Sequence, residues 1–217
     1  MGCDIHLYVE KKTADKRWVA IDGPNRWFGK YEDDKETRLD WLYYDRNYDL
    51  FAILADVRNG YGVAGIDTGD GFIPIAEPKG LPKDVSPDVK EISDDWDVDG
   101  HSHSWFTLSE LLAYNWEQTT KHRGWVNVEG FKEYLRGGRP TSWYSGIGGG
   151  GVTHISPAMM QERIDNNGDT DGCYCQVEWE VAYYEATKDF CEETIPKLKE
   201  LSEGDYNSIR IVFWFDN

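Results

Sequence analysis

Two short clusters, Asp4-Ile5-His6 and His101-Ser102-His103, hold the residues whose types and spacing best suit chemistry. Side chains two positions apart in an extended segment point to the same face, so each cluster can offer two groups to one side. Carboxylate oxygen and imidazole nitrogen are ligands that suit zinc or manganese. The pattern therefore predicts a divalent-metal site built from Asp4, His6, His101 and His103. The alternative is that these histidines only form hydrogen-bond networks.

A metal at these residues would lower the pKa of a bound water and supply hydroxide near neutral pH. Asp4-x-His6 and the Gly-His-x-His segment that ends at His103 resemble two motifs of calcineurin-like metallophosphoesterases, in the same order. Only three residues precede Asp4, where that family has an apolar strand, and its intervening Gly-Asn-His-Asp/Glu motif is missing. A phosphoesterase-like hydrolase dependent on a divalent metal is accordingly one of the alternative functions.

Aromatic residues beside polar ones indicate a second kind of site. The chain has ten tryptophans and thirteen tyrosines. Aromatic faces stack on bases, and neighbouring polar groups read base edges or bind phosphate. We predict that Arg46 and Arg58 contact phosphate, that Tyr48 and Trp105 stack on a base, and that Asn47 completes a site for a small nucleotide-like ligand. The alternative for most of these aromatics is packing against a sheet.

The overall charge limits the classes of partner. Forty acidic against 23 basic residues give a formal net charge of −17. Such a surface repels phosphate backbones and anionic lipids, so we expect neither extended nucleic acid nor a membrane as a partner. A few arginines can still reverse the potential within one pocket, and an acidic interaction or DNA-mimic protein is a third function. The chain lacks an apolar run of about 20 residues, which predicts a cytoplasmic protein.

Alternating apolar residues predict strands near both chain ends. Ile5, Leu7 and Val9 alternate with polar residues, which indicates one buried and one polar face. A second strand at Trp18 to Ile21 is expected to form a hairpin with it. Segments 177–183 and 209–215 alternate in the same way, and we expect all four segments to join one sheet.

Helix signals divide the middle of the chain. Periodicity predicts a helix from Tyr48 to Arg58, and a capping box at Thr107 starts another. Ser156 followed by proline starts a third, and a last helix at 187–201 is expected to bend at Pro196. The glycine- and proline-rich stretch 60–98 is predicted to be a long irregular loop. The sequence thus predicts one α+β domain, residues 1–217, with a mixed or antiparallel sheet formed from both chain ends and several helices.

Five segments carry a resemblance to a known group of proteins. MGCDIH, DRNYDLFAILADVRN, EPKGLPKDVSP, HSHSWFTLSELL and RIVFWFDN span nearly the whole chain and resemble a family of proteins encoded by tailed bacteriophages and bacteria, for which we know no established activity. The resemblance implies a phage accessory protein in the host cytoplasm and transfers no catalytic residue. Our leading prediction is the binding of a small nucleotide-like ligand, such as a host antiviral-defence signal, by a protein that could be a homo-oligomer.

Overall fold

Seven strands and seven α-helices make up the regular structure of residues 2–22 and 41–216, which the computed structural model describes. The strands are β1 (Ile5–Lys12), β2 (Trp18–Ala20), β3 (His101–Thr107), β4 (Thr119–Val126), β5 (Thr153–His154), β6 (Cys173–Ala182) and β7 (Ile209–Phe215). The helices are α1 (Tyr48–Ala55), α2 (Pro87–Trp96), α3 (Leu108–Ala113), α4 (Val128–Gly137), α5 (Pro157–Asp165), α6 (Tyr183–Ala186) and α7 (Ile195–Ser202). A π-helical turn, Phe190–Thr194, leads directly into α7. The α+β class predicted from the sequence is confirmed.

The first sheet joins strands from both chain ends. Its order is β2-β1-β7-β3, and all neighbouring strands are antiparallel. Ile5 lies opposite Phe215, which on its other side lies opposite His101. The predicted hairpin of β1 and β2 is confirmed. The main apolar face of the first sheet packs on α1, α3 and α7, where Leu50, Leu111 and Leu198 are fully buried.

The face of β1 that we expected to be polar is also covered. Tyr8 and Glu10 are buried, because α2 packs its Val89 against this side, next to Trp214 of β7. Helix α2 lies inside stretch 60–98, so the prediction of one continuous irregular loop is wrong there. The first sheet is therefore enclosed by helices on both faces.

A buried ion pair holds the start of α2 to this sheet. Arg210 Nε donates to Glu10 Oε2 at 2.6 Å, and neither residue is more than 2% exposed. The same carboxylate accepts from the backbone N–H of Ser86, the N-cap of α2, at 2.7 Å. Arg210 also donates to Asp84 and lies 4.0 Å from the centre of the Trp18 ring. Buried charges persist in proteins when they are paired and hydrogen-bonded in this way.

The second sheet has the order β4-β6-β5, with β4 antiparallel and β5 parallel to β6. Strand β6 includes most of segment 177–183, so the expectation that this segment joins the terminal strands is wrong. Its partner β4, which the sequence patterns do not indicate, pairs with it from Thr119 to Val126. One face of this sheet packs on α4 and α5 through Phe131 and Met160, whereas Glu178 and Glu180 of β6 are exposed on the other face.

Helix α1 positions the candidate site, and its ends are set by local caps. The side chain of Asn47 accepts hydrogen bonds from the backbone N–H groups of Asp49 and Leu50. The helix ends at Ala55, before the predicted end at Arg58, because Asp56 adopts the left-handed conformation with φ 58°. Such an end turns the chain sharply and brings Arg58 back toward the start of the helix.

The other predicted helix starts agree with the structure. Thr107 and Glu110 form a complete capping box, and Ser156 caps α5 ahead of Pro157. The last predicted helix is divided into the turn Phe190–Thr194 and α7, whose first turn contains Pro196. Over residues 2–22 and 41–216, no helix is long and apolar enough to cross a membrane.

Candidate functional site

A cleft of about 490 Å³ opens at the N-terminus of α1. Ligand pockets in proteins commonly have volumes of roughly 300–1,000 Å³. Four parts of the chain line this cleft: the segment that leads into α1 together with the first turn of α1, the turn that follows α1, the segment after α4, and the end of α6 with the turn after it. The side chains that line it include those of Tyr43, Asp45, Arg46, Asn47, Tyr48, Asp49, Arg58, Tyr61, Thr68, Trp143 and Asp189.

Strand β4 fixes two of these walls. The backbone N–H of Arg123 donates to Thr68 O at 2.8 Å, and this bond holds the turn after α1 against the middle of β4. Trp125 and Tyr144 exchange a pair of backbone hydrogen bonds, which pins the segment after α4 to another part. Asn47 Nδ2 donates to Ala186 O at 2.8 Å and ties the end of α6 to the cap of α1. The walls of the cleft are therefore held by backbone hydrogen bonds to β4 and by the side chain of Asn47.

Four of the five predicted ligand residues line this one cleft: Arg46, Asn47, Tyr48 and Arg58. Trp105 lies elsewhere, on β3, where the ammonium of Lys79 is 4.4 Å from the centre of its ring. The side chain of Asn47 is engaged in capping α1 and in its bond to α6, so its part in the cleft is to hold the walls.

Arg46 is held in place by a residue from the first sequence cluster. Its Nε and Nη2 donate to the two carboxylate oxygens of Asp4 at 2.7 and 2.6 Å. This hydrogen bond lowers the pKa of Asp4, so the carboxylate is ionised at neutral pH. A Cβ at Gly2 would stand 2.8 Å from Arg46 Nη1, so glycine at that position lets the guanidinium lie close to the backbone. Asp4 thus positions an arginine of the cleft.

Arg58 lies against two other residues of the same region. Its guanidinium carbon is 5.1 Å from the centre of the Tyr48 ring, within the range of a cation–π contact. It also hydrogen-bonds the thiol of Cys3, which is fully buried. Burial raises the pKa of Cys3 despite that hydrogen bond, so this cysteine is a neutral thiol at pH 7 and not an activated nucleophile.

The hydroxyl of Tyr48 is buried and has no hydrogen-bond partner within residues 2–22 and 41–216. Leaving a buried hydroxyl unpaired costs about 1–3 kcal/mol, and such groups often mark a functional site. Because Tyr48 lines the cleft, a polar ligand atom could supply the missing partner.

Asp49 and His122 form a pair that the sequence patterns do not reveal. Asp49 Oδ2 lies 3.6 Å from His122 Nε2. Burial raises the pKa of Asp49 to about 7 and lowers that of His122 to about 4. Between these values both side chains are neutral, which leaves a carboxylic acid at the wall of the cleft. Only the enclosure of the pair in the folded protein produces this state.

Trp143 forms an aromatic wall next to this pair. Its ring centre lies 5.8 Å from that of His122 and 5.3 Å from that of Trp179. A Cβ at Gly124 of β4 would come within 2.5 Å of Trp143 Cε3. A glycine in the strand therefore makes room for the indole to pack close against the strand.

The two histidine clusters lie on either side of β7. The rings of His6 and His103 each stack on Trp214, with centroid distances of 5.9 and 5.4 Å. Since β1 and β3 flank β7, the indole separates the two imidazoles. His101 lies instead beside Phe215, at 6.0 Å. Across the described part of the chain, no group of three or more His, Cys, Asp or Glu side chains is placed to hold a metal ion.

Each of these histidines has a local hydrogen-bond partner. His6 Nε2 lies 3.2 Å from an Asp216 carboxylate oxygen, and His103 Nε2 lies 3.0 Å from the hydroxyl of Ser93. His101 Nδ1 lies 3.1 Å from Ser102 Oγ, at the β-bulge of β3. Burial lowers the pKa of both His6 and His103. These contacts agree with the hydrogen-bond alternative, and the zinc or manganese site stays a prediction.

No family model, curated protein or solved structure matches this chain. The resemblance to phage and bacterial proteins accordingly stays a prediction, and the case for a function depends on the geometry of the cleft.

Proposed function

We propose that this protein binds a small nucleotide-like molecule in the cleft at the N-terminus of α1. The observation that carries this proposal is that four residues chosen for their chemistry, Arg46, Asn47, Tyr48 and Arg58, line one cleft of suitable volume. Arg58 follows α1, whereas the other three residues lie at the start of this helix. No local sequence pattern requires the chain to bring Arg58 back to them. Two cations and several aromatic rings thereby line a single concave surface.

The aromatic wall supports the binding of a base. Tyr48, Tyr61 and Trp143 line the cleft, and Tyr61 is 54% exposed, so its ring is accessible to a ligand. Stacking of a base on an aromatic side chain contributes about 1–3 kcal/mol and tolerates any base. The unpaired hydroxyl of Tyr48 adds a polar group that could read a sugar or a base edge.

The arginines support the binding of a phosphate. Guanidinium groups match the geometry of phosphate oxygens and can bind them through two parallel hydrogen bonds. Arg46 is oriented by Asp4, and Arg58 by Tyr48, so neither side chain must be ordered entirely by the ligand. In the phage setting that the sequence resemblance implies, binding alone would withdraw a nucleotide signal from the host.

Isothermal titration calorimetry with a panel of nucleoside 5′-monophosphates, nucleoside triphosphates and cyclic nucleotides tests this proposal. We expect at least one compound to bind, and Arg58→Ala to weaken its binding by about tenfold or more, which is the loss of one charge-assisted hydrogen bond. Arg17→Ala is the matched control, because Arg17 is an exposed arginine in the turn between β1 and β2. A panel without any binding at millimolar concentration, or equal weakening by both variants, would contradict the proposal.

A further inference from the structure

Two aspartates of the cleft have no partner for their charge. Asp45, in the segment before α1, and Asp189, in the turn after α6, are both exposed and both line the cleft. Neither carboxylate forms an ion pair or a side-chain hydrogen bond within residues 2–22 and 41–216. Exposed carboxylates alone are common on an acidic protein, so the meaning of these two depends on their surroundings.

The cations next to these aspartates in the sequence are paired with other acids. Arg46 donates to both carboxylate oxygens of Asp4, and Lys188 Nζ lies 3.8 Å from Glu192 Oε2. Each of the two aspartates therefore stays unpaired beside a basic residue whose charge is used elsewhere. A phosphate that enters the cleft meets two uncompensated negative charges, and like charges at short range repel.

Tyr43 is a second and independent sign of a polar ligand at the same place. It is only 5% exposed, packs edge-on against Phe190, and lines the cleft. Its hydroxyl has no hydrogen-bond partner in the part of the chain that the structure describes. Burial, and then the charges of Asp45 and Asp189, raise the pKa of Tyr43. The hydroxyl is therefore protonated near both carboxylates, where it can donate to or accept from a bound group.

Oxygen atoms of this kind suit a hard divalent cation. Mg²⁺ is usually held by one or two carboxylates and keeps several waters, and the phosphates of the substrate complete its shell. A group of three or more His, Cys, Asp or Glu side chains, which could hold a metal without a ligand, is not found among the described residues. Two unpaired aspartates without such a group therefore suit a magnesium ion that is bound together with a phosphate.

We propose that Asp45 and Asp189 hold a magnesium ion that bridges to a phosphate group of the ligand, so that the cleft binds nucleotides as their magnesium complexes. This inference rests on the proposed function. The ion replaces the repulsion between the carboxylates and the phosphate by an attraction on both sides. The hydroxyl of Tyr43 hydrogen-bonds a water of the ion.

Calorimetry with the 5′-monophosphates and 5′-triphosphates of adenosine and guanosine, in excess Mg²⁺ and in EDTA, tests this inference. We expect the wild type to bind the best nucleotide about tenfold more tightly in Mg²⁺ than in EDTA. Asp45→Asn and Asp189→Asn should each weaken binding in Mg²⁺ by about tenfold, because the ion loses a charged ligand. In EDTA the same variants should bind as well as the wild type or better, because they only remove a repelling charge.

Two controls separate this site from the general effect of an acidic surface. Asp99→Asn removes one charge from an exposed aspartate in the turn after α2, outside the lining of the cleft, and should behave as the wild type does in both conditions. Adenosine and guanosine have no phosphate, so their binding should not depend on Mg²⁺.

Manganese gives a second readout that locates the ion. Mn²⁺ takes the same oxygen ligands as Mg²⁺, and its paramagnetism broadens the NMR signals of nearby protons. With nucleotide present, Mn²⁺ below one equivalent should broaden the indole N–H signal of Trp143, which lines the cleft, before those of Trp105 and Trp214. Asp45→Asn should remove this preference.

Three results would each overturn the inference and leave the cleft as a nucleotide site. They are equal affinity in Mg²⁺ and EDTA, equal effects of the cleft variants and Asp99→Asn, and broadening by Mn²⁺ that does not favour Trp143. Absence of nucleotide binding in both conditions would instead remove the proposed function itself.

Discussion

Replacement of Asp49 by asparagine should make the ligand-free protein more stable at alkaline pH. A carboxyl pKa that rises from 3.8 in the unfolded chain to about 7 in the folded protein favours folding fully below pH 3.8. That contribution is lost as the pH rises through about 7, because the unfolded chain then gains more from ionisation than the folded protein does. The asparagine variant has no carboxyl at this position and should not show the loss.

The size of this effect can be worked from the surroundings of the side chain. At 1.36 kcal/mol per pH unit, the full shift corresponds to about 4 kcal/mol. The side chain keeps 31% of its exposure and lies in the first turn of α1, where the helix dipole favours a carboxylate by about 0.3–1 kcal/mol. These two features make about 4 kcal/mol an upper bound over the whole pH range, and for a folded-state pKa of about 7 roughly 2.6 kcal/mol of it is lost between pH 5 and pH 8.

Urea unfolding of the wild type and Asp49→Asn at pH 5 and pH 8 measures this difference. The variant should gain stability relative to the wild type as the pH rises, while Asp45→Asn, which makes the same change in the same cleft, should follow the wild type. A gap between wild type and Asp49→Asn that stays constant from pH 5 to pH 8 would refute the reasoning on the buried carboxyl.

Three further substitutions test the packing and the charges around the site. Glu10→Ala should destabilise the protein by about 3–5 kcal/mol in urea unfolding, because it removes the main partner of the buried Arg210, and a loss below about 1 kcal/mol would contradict that pairing. Leu50→Ala should cost about 2–5 kcal/mol, since Leu50 is fully buried beneath the first sheet, and a smaller loss in the same assay would argue against this packing. Asp4→Asn should leave Arg46 without the carboxylate that orients it and weaken nucleotide binding severalfold, whereas unchanged calorimetric affinity would show that the ion pair does not position Arg46 for the ligand.

The elements that the sequence predicts well depend on nearby residues. Alternation in β1 and β7, the capping box at Thr107 and the cap at Ser156 are local patterns, and each corresponds to an observed element. The burial of Glu10 depends instead on Arg210, its ion-pair partner 200 residues further along the chain. The alternation in β1 alone therefore predicts that Glu10 is exposed, because the sequence around it does not reveal its partner Arg210.

In the candidate site, too, residue types can be predicted from the sequence, whereas their positions depend on contacts between distant parts of the chain. Residue type alone indicated Arg46 and Arg58, which are placed in one cleft by the turn after α1. The position of Trp214 between the two histidine clusters follows from the strand order, which no local pattern specifies. Asp49 acquires its raised pKa only through enclosure, so its sequence neighbours cannot reveal it.

The most direct test of the central claim is an NMR titration of the protein with nucleoside 5′-monophosphates, followed through the indole N–H signals of the tryptophans. Trp143 lines the cleft, whereas Trp105 lies on β3 and Trp214 lies between the histidines. We expect the Trp143 signal to shift with saturation while those of Trp105 and Trp214 stay unchanged. Saturable shifts confined to Trp105 or Trp214, or no shift of Trp143 at millimolar ligand, would contradict the assignment of the cleft as the nucleotide site.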